Sequence, residues 1–375
     1  VAVATLASFL FVVLGWMLVV PAPAAAGVAV SDKLTLFGDV RVRYEIEERD
    51  RDNTGAADID RDRARIRARF GFKHKTTDKI SFGLRLATAS HALQSPHQDL
   101  ATAANTTSNR DWGLDRAYIE TKWGKSGFLW AGKHGISFWE QNEQFWDGDI
   151  QPEGIGAGYK FGLASGATLL LQSVHTILVE EGWGDNEGTF DDDYGTTLQA
   201  VYNKGPLTAA VGALFIQENA NSLDVTGGSS TYSIASIQYK TKAQDLPLKL
   251  GFDWLHGENV KNTGGGSYVL GGSESETGYV VNASTKKGKW GFQFKHHYVP
   301  LNSVPLQGNL SQDNFTYSSN FEGQRYQVGY NFGSGVKADF RVYDQGQIAG
   351  ISSAQDWAMS VENVQRYQVN LNAKF

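Results

Sequence analysis

The chain has 375 residues, of which 41% are hydrophobic and 12% aromatic, with 42 Gly, 8 Pro and no Cys, at a formal net charge of -6. The absence of Cys excludes a disulfide scaffold, Cys-ligated zinc and a thiol nucleophile, and the mild acidity argues against a nucleic-acid partner. A mean hydropathy of -0.33 excludes a bundle of transmembrane helices, because each span needs about 20 consecutive apolar residues. Abundant Gly and aromatics with few Pro point instead to β-structure with many turns.

The one long apolar stretch comes first. Residues 1–20 carry no charge, and the run Pro21-Ala22-Pro23-Ala24-Ala25-Ala26 follows with the small-residue spacing of a signal-peptidase site. Residues 1–26 therefore read as a secretory signal cut after Ala26, with an uncleaved membrane anchor as the alternative. Residues 27–375 remain as one exported domain.

Beyond it the chain alternates apolar and polar residues in segment after segment, the mark of strands with one apolar and one polar face. The first sets Leu34, Leu36, Val40, Val42, Tyr44 and Ile46 against Asp39, Arg41, Arg43 and Glu45; the second sets Ala64, Ile66, Ala68, Phe70 and Phe72 against Arg63, Arg65, Arg67, Arg69 and Lys73. Segments around Ile80 to Leu86, Ala117 to Trp123, Gly127 to Lys133, Ile155 to Phe161, Ala167 to Val174 and Tyr194 to Asn203 continue the series, with weaker alternation in the fifth to seventh. Then come Leu207 to Phe215, Ala235 to Tyr239, Leu246 to Trp254, Tyr279 to Ala283, Trp290 to Tyr298, Tyr326 to Phe332, Val336 to Val342 and Tyr367 to Phe375. The total is about sixteen, with a margin of two.

The connections sort into two kinds that alternate without exception. Short turns fall at 75–78, 124–126, 163–166, 203–206, 240–245, 286–289 and 333–335; long polar connections fall at 48–61, 90–111, 135–154, 175–193, 217–231, 257–277, 299–323 and 344–364. Turns then gather at one end of the sheet and loops at the other, as in outer-membrane barrels with short periplasmic turns and long external loops. A sheet facing lipid must close, since an open edge leaves amides unpaired where water cannot reach. Sixteen strands enclose an aqueous lumen, where the polar face of each strand stays hydrated. The expected fold is an all-β, transmembrane antiparallel β-barrel, with Tyr and Trp near the strand ends at headgroup level.

With its alternation and its closing run Tyr367-Gln368-Val369-Asn370-Leu371-Asn372-Ala373-Lys374-Phe375, the chain resembles the outer-membrane porins of Gram-negative bacteria. The likeness is to the sixteen-stranded general porins and to the related Putative porin family, and it extends over the mature chain from about residue 32. It implies a water-filled channel in the cell outer membrane for passive diffusion of small hydrophilic solutes and ions, set in lipid and lipopolysaccharide. It also implies a homotrimer, for which Ala64 with Ala68 and Ala209 with Ala213 are candidate contact walls.

Selectivity has two sequence candidates. Arg61, Arg63, Arg65, Arg67 and Arg69 occupy every second position, so at least the last four project into the lumen as a ladder, extended by Arg41, Arg43 and Arg85 on neighbouring strands. Such a cluster focuses a positive field in a narrow pore; alternatively the arginines are a solvated face paired to Asp39 and Glu45. The third long connection, 135–154, carries Glu140, Glu143, Asp147, Asp149 and Glu153 with no basic residue among them, and its Phe138-Trp139 and Phe145-Trp146 pairs recur after seven residues. In general porins the third external loop folds into the barrel, and the resemblance implies the same here. Spacing of seven places both aromatic pairs on one side of a helical turn, packed against the wall, with the acids toward the arginines. A plain external loop capping the rim is the alternative.

Asp191, Asp192 and Asp193, with Asp185 and Glu187, form an acidic loop that could bind Ca²⁺ or bridge to lipopolysaccharide through divalent ions, although such a loop is more often only solvated. His296 and His297 are adjacent and point to opposite faces of a strand, which disfavours a joint metal site. With no nucleophile motif, no metal site and no cofactor signal, the chain reads as a channel and not an enzyme. Two further readings stand beside the general porin: a substrate-specific barrel for anionic solutes such as phosphate or polysaccharide, and a plugged structural or adhesin barrel.

Overall fold

A computed structural model describes residues 27–50, 58–89, 95–100, 110–179, 192–218, 228–258, 276–305, 315, 319–348 and 363–375. The proposed signal at 1–26 lies outside them, as do Asp185, Glu187, Asp191 and parts of most long connections.

Sixteen long strands run in chain order: β1 Leu34–Asp50, β2 Ile59–Lys75, β3 Ile80–Thr88, β4 Trp112–Trp123, β5 Gly127–Lys133, β6 Glu153–Gly162, β7 Thr168–Val179 and β8 Asp193–Lys204. They continue as β9 Leu207–Glu218, β10 Gly228–Ala243, β11 Leu246–Glu258, β12 Thr277–Lys287, β13 Trp290–Val299, β14 Phe321–Gly333, β15 Val336–Gln347 and β16 Asn363–Lys374. Each pairs antiparallel with the next. The sheet closes where β16 meets β1, from Asn363 opposite Asp50 to Lys374 opposite Asp39. Reciprocal bonds between Gly38 and Phe375, N–H to O at 3.2 and 3.1 Å, extend that seam by one step. Closure leaves no free edge to solvate. All sixteen expected strands are present, including the three with weak alternation.

The short turns are tight because their residues accept left-handed φ. Gly205 at +54° and Gly288 at +59° turn β8 into β9 and β12 into β13. Outside the barrel the odd or even register carries an apolar band, with Phe70, Ile119, Ile155, Leu198, Val211, Phe252 and Phe292 all exposed. Such a continuous exposed surface matches a lipid-facing wall.

The interior is divided. One side is polar, formed by β1 to β4 and β16. On the other, Leu214, Ile216, Tyr232, Ile234, Leu255, Val280, Val299, Phe321, Tyr343 and Val364 point inward and form an apolar cluster. All ten lie toward the long-loop ends of β9 to β16, so the lumen wall is apolar at those ends, while β16 is polar further along at Arg366, Gln368 and Asn370. This was not expected from alternation alone.

Candidate constriction site

The arginine wall arises from register. Across β1 and β2, Arg41 stands opposite Arg67 and Arg43 opposite Arg65, with Asp39 opposite Arg69 and Glu45 opposite Arg63. Like charges facing each other directly are unfavourable, and the acids set between them offset that repulsion. Asp39 accepts from Arg67 and Arg69 at 2.8 Å each, and Glu45 holds Arg63. Arg43 donates through Nε to Asn370 at 2.8 Å and Arg41 to Asn372 at 2.5 Å. Arg85 on β3 pairs with Asp115, and Arg61, opposite Glu47, sits exposed above the rest. The wall is thus both a lumen-facing ladder and a set of ion pairs with Asp39 and Glu45.

Residues 134–152, between β5 and β6, cross the barrel. Phe138, Phe145 and Trp146 are buried against the apolar cluster of the far wall, and the two Phe rings stack at 5.4 Å. The segment contains turns and no helix, in contrast to the helical turn expected from the spacing of seven. The rings meet because the loop doubles back between them, and Trp139 does not join the cluster. Polar contacts fix the crossing. The Trp139 N–H donates to Gln199 Oε1 at 2.6 Å, Gln141 Nε2 donates to Asp253 Oδ1 at 2.7 Å, Asn142 also reaches Asp253, and Gln144 Oε1 lies 3.0 Å from His297 Nδ1. Small wall residues leave room: a Cβ on Gly212 would stand 2.8 Å from the Phe138 ring.

The five loop acids do not act together. Asp149 reaches the ladder, accepting from Arg69 at 2.9 Å and lying 3.3 Å from Arg67. Glu143 lines the cavity with Lys295 and Arg325 of the opposite wall. Asp147 is buried and accepts from the Asp149 N–H at 2.7 Å. Glu140 accepts from the Trp146 N–H at 3.3 Å, and burial, then the nearby Glu143, Asp253 and Asp147 charges, hold its carboxyl well above the usual carboxylate range. Glu153 is the first residue of β6, paired with Lys133 on the face that carries exposed Ile155, and so lies apart from the arginines.

Between loop and ladder lies a cavity of about 570 Å³, lined by ten Lys and Arg side chains against four carboxyls. Five of those cations, Arg116, Lys295, Arg325, Arg341 and Lys374, were not singled out from the sequence. None has another Lys or Arg two residues away to make a ladder of its own, and closure of the barrel brings them round to the arginine wall. Arg116, for example, sits opposite Arg85 and donates to Gln151 of the loop at 2.7 Å. A second loop piece was also missed: residues 95–100 fold inward, where Gln98–Asp99 pairs with β2 and Arg65 donates to the His97 carbonyl at 3.2 Å. His296 and His297 do take opposite faces, toward Glu322 and Gln144 respectively.

A family model described as Putative porin matches residues 54–178. OmpF of Salmonella typhi, solved with daunomycin, superposes with a TM-score of 0.55 at 10% identity over 93% of this chain and all of its own. OprB of Pseudomonas putida superposes at 0.58 and 11% identity, over 92% of this chain and 94% of its own. The chain resembles the Putative porin family over residues 54–178, a third of its length, and shares the barrel fold of outer-membrane porins. At such identities the two superpositions speak for the porin fold, and the family match lies on the arginine wall and the loop that crosses to it. No curated protein sequence matches the chain.

Proposed function

We propose that solutes cross this porin by passive diffusion through the cavity between the β1 to β4 arginines and the 134–152 loop, whose opposed charges set its ion preference. The observation that carries the reading is Asp149, held to Arg67 and Arg69 by a loop anchored on the far wall. Charges so placed in a narrow, partly desolvated path act on every permeating ion. The reading is of a channel and not an enzyme. It takes residues 1–26 as the export signal and a homotrimer as the assembled state, set in lipid and lipopolysaccharide. Reversal potentials in a KCl gradient test it. Arg67→Ala with Arg69→Ala should shift selectivity toward cations, because two positive groups go and Asp149 is released; an unchanged potential would sink the assignment.

A further inference from the structure

Five of the ten cations lining the cavity, Arg41, Arg116, Lys295, Arg325 and Lys374, have no carboxylate within ion-pair distance among the described residues. Arg41 and Arg43 are oriented by neutral amides. Asn372 and Asn370 accept from their Nε atoms, and the same two amides donate to Asp339 at 3.2 and 3.0 Å. That arrangement fixes each guanidinium through one edge and leaves the terminal nitrogens of Arg41 without a hydrogen bond to the described residues. A fork held in this way is built for the two oxygens of an oxyanion.

A second observation lies beside it. His97 lines the same cavity and is only 7% exposed. Its Nδ1 lies 3.0 Å from Ser95 Oγ, while its Nε2 is buried and makes no hydrogen bond. Burial, then the charges of Arg43, Arg41, Arg67 and Arg65, keep the ring neutral by lowering its pKa. In one tautomer Nε2 carries the proton and can donate to an oxyanion oxygen; in the other it is bare and can accept from the O–H of a hydrogen phosphate. In either tautomer this buried nitrogen lacks a partner, and a protonated oxyanion lodged among the guanidinium groups supplies one.

Resting on the channel reading above, we infer that the constriction contains a binding site for a tetrahedral oxyanion of the phosphate class, held by Arg41, Arg43 and His97 Nε2. The recognised chemistry is the multiply charged oxyanion group, shared by free phosphate and phosphate monoesters. Chloride offers one centre of charge and no second oxygen for the fork.

Single-channel recording of the full-length protein in planar bilayers tests this. With chloride as the current carrier, inorganic phosphate and, separately, glycerol phosphate are titrated at fixed pH. A saturable reduction of current is expected, by phosphate alone if the site takes only the free ion and by both if it takes esters. His97→Gln and Arg41→Lys should each raise the half-blocking concentration by about tenfold, the scale of one charge-assisted hydrogen bond. Chloride conductance of each variant reports that its barrel is folded, and Arg43→Lys serves as a further variant if either fails to insert. Current that falls linearly without saturation, or variants blocked like the parent, would overturn the site while leaving the channel intact. A chain with no conductance at all overturns the channel reading and the site with it.

Discussion

Asp149 is the residue on which the electrostatics turn, because it ties the crossing loop to Arg67 and Arg69 of the ladder. Asp149→Asn keeps the shape and removes the charge, so the reversal potential should move toward anions, opposite in sign to the arginine double variant. Glu140 makes a different prediction. Its raised pKa means that the docked loop holds a proton the undocked loop would release. Docking is therefore strongest at or below the ordinary carboxyl range and weakens as pH rises from about 4.5 toward the docked value. Loop-related gating noise should increase with pH in the parent and lose that dependence in Glu140→Gln; equal pH dependence in both would contradict it. The arginine ladder was legible in sequence because period 2 alone puts its members on one face. The roles of the acids were not, since in a loop no period says that Asp149 faces Arg69 while Glu140 turns under the chain.

At the scale of elements, the 134–152 loop is held by buried rings. Phe145 is 1% exposed within the apolar cluster, and truncating a buried Phe to Ala costs about 3–5 kcal/mol. Phe145→Ala should undock the loop, giving larger single-channel conductance and cleavage of the loop by added protease; parental conductance with full protease resistance would show that the polar contacts to Asp253 and Gln199 suffice. Sixteen strands could be read from alternation, with bounds that fell short at the loop ends. The cause is physical. Where Phe215 is followed by Ile216, Trp254 by Leu255 and Tyr298 by Val299, one residue faces lipid and the next packs on the inserted loop, so both faces are apolar and the period disappears. Those doublets were the sequence sign of a covered inner wall.

For the whole molecule, negative mean hydropathy and a barrel wall are compatible because each strand gives half its residues to water and the loops add polarity. The net charge of -6 likewise hides a division, since ten cations converge on a cavity that holds four carboxyls. One of the four, Glu140, is biased toward its neutral form by burial and by the neighbouring acids, which deepens the imbalance. Barrel closure is what sequence could not supply in detail. Alternation says that Arg341 or Lys295 faces inward, whereas only the completed cylinder sets them across from Arg41 and Asp149. The most direct measurement is the reversal potential of the parent protein in a planar bilayer under a KCl gradient. Discrete conductance steps with a potential of the anion-selective sign are expected; a cation-selective sign, or a bilayer that stays silent, would contradict a channel governed by its arginine wall.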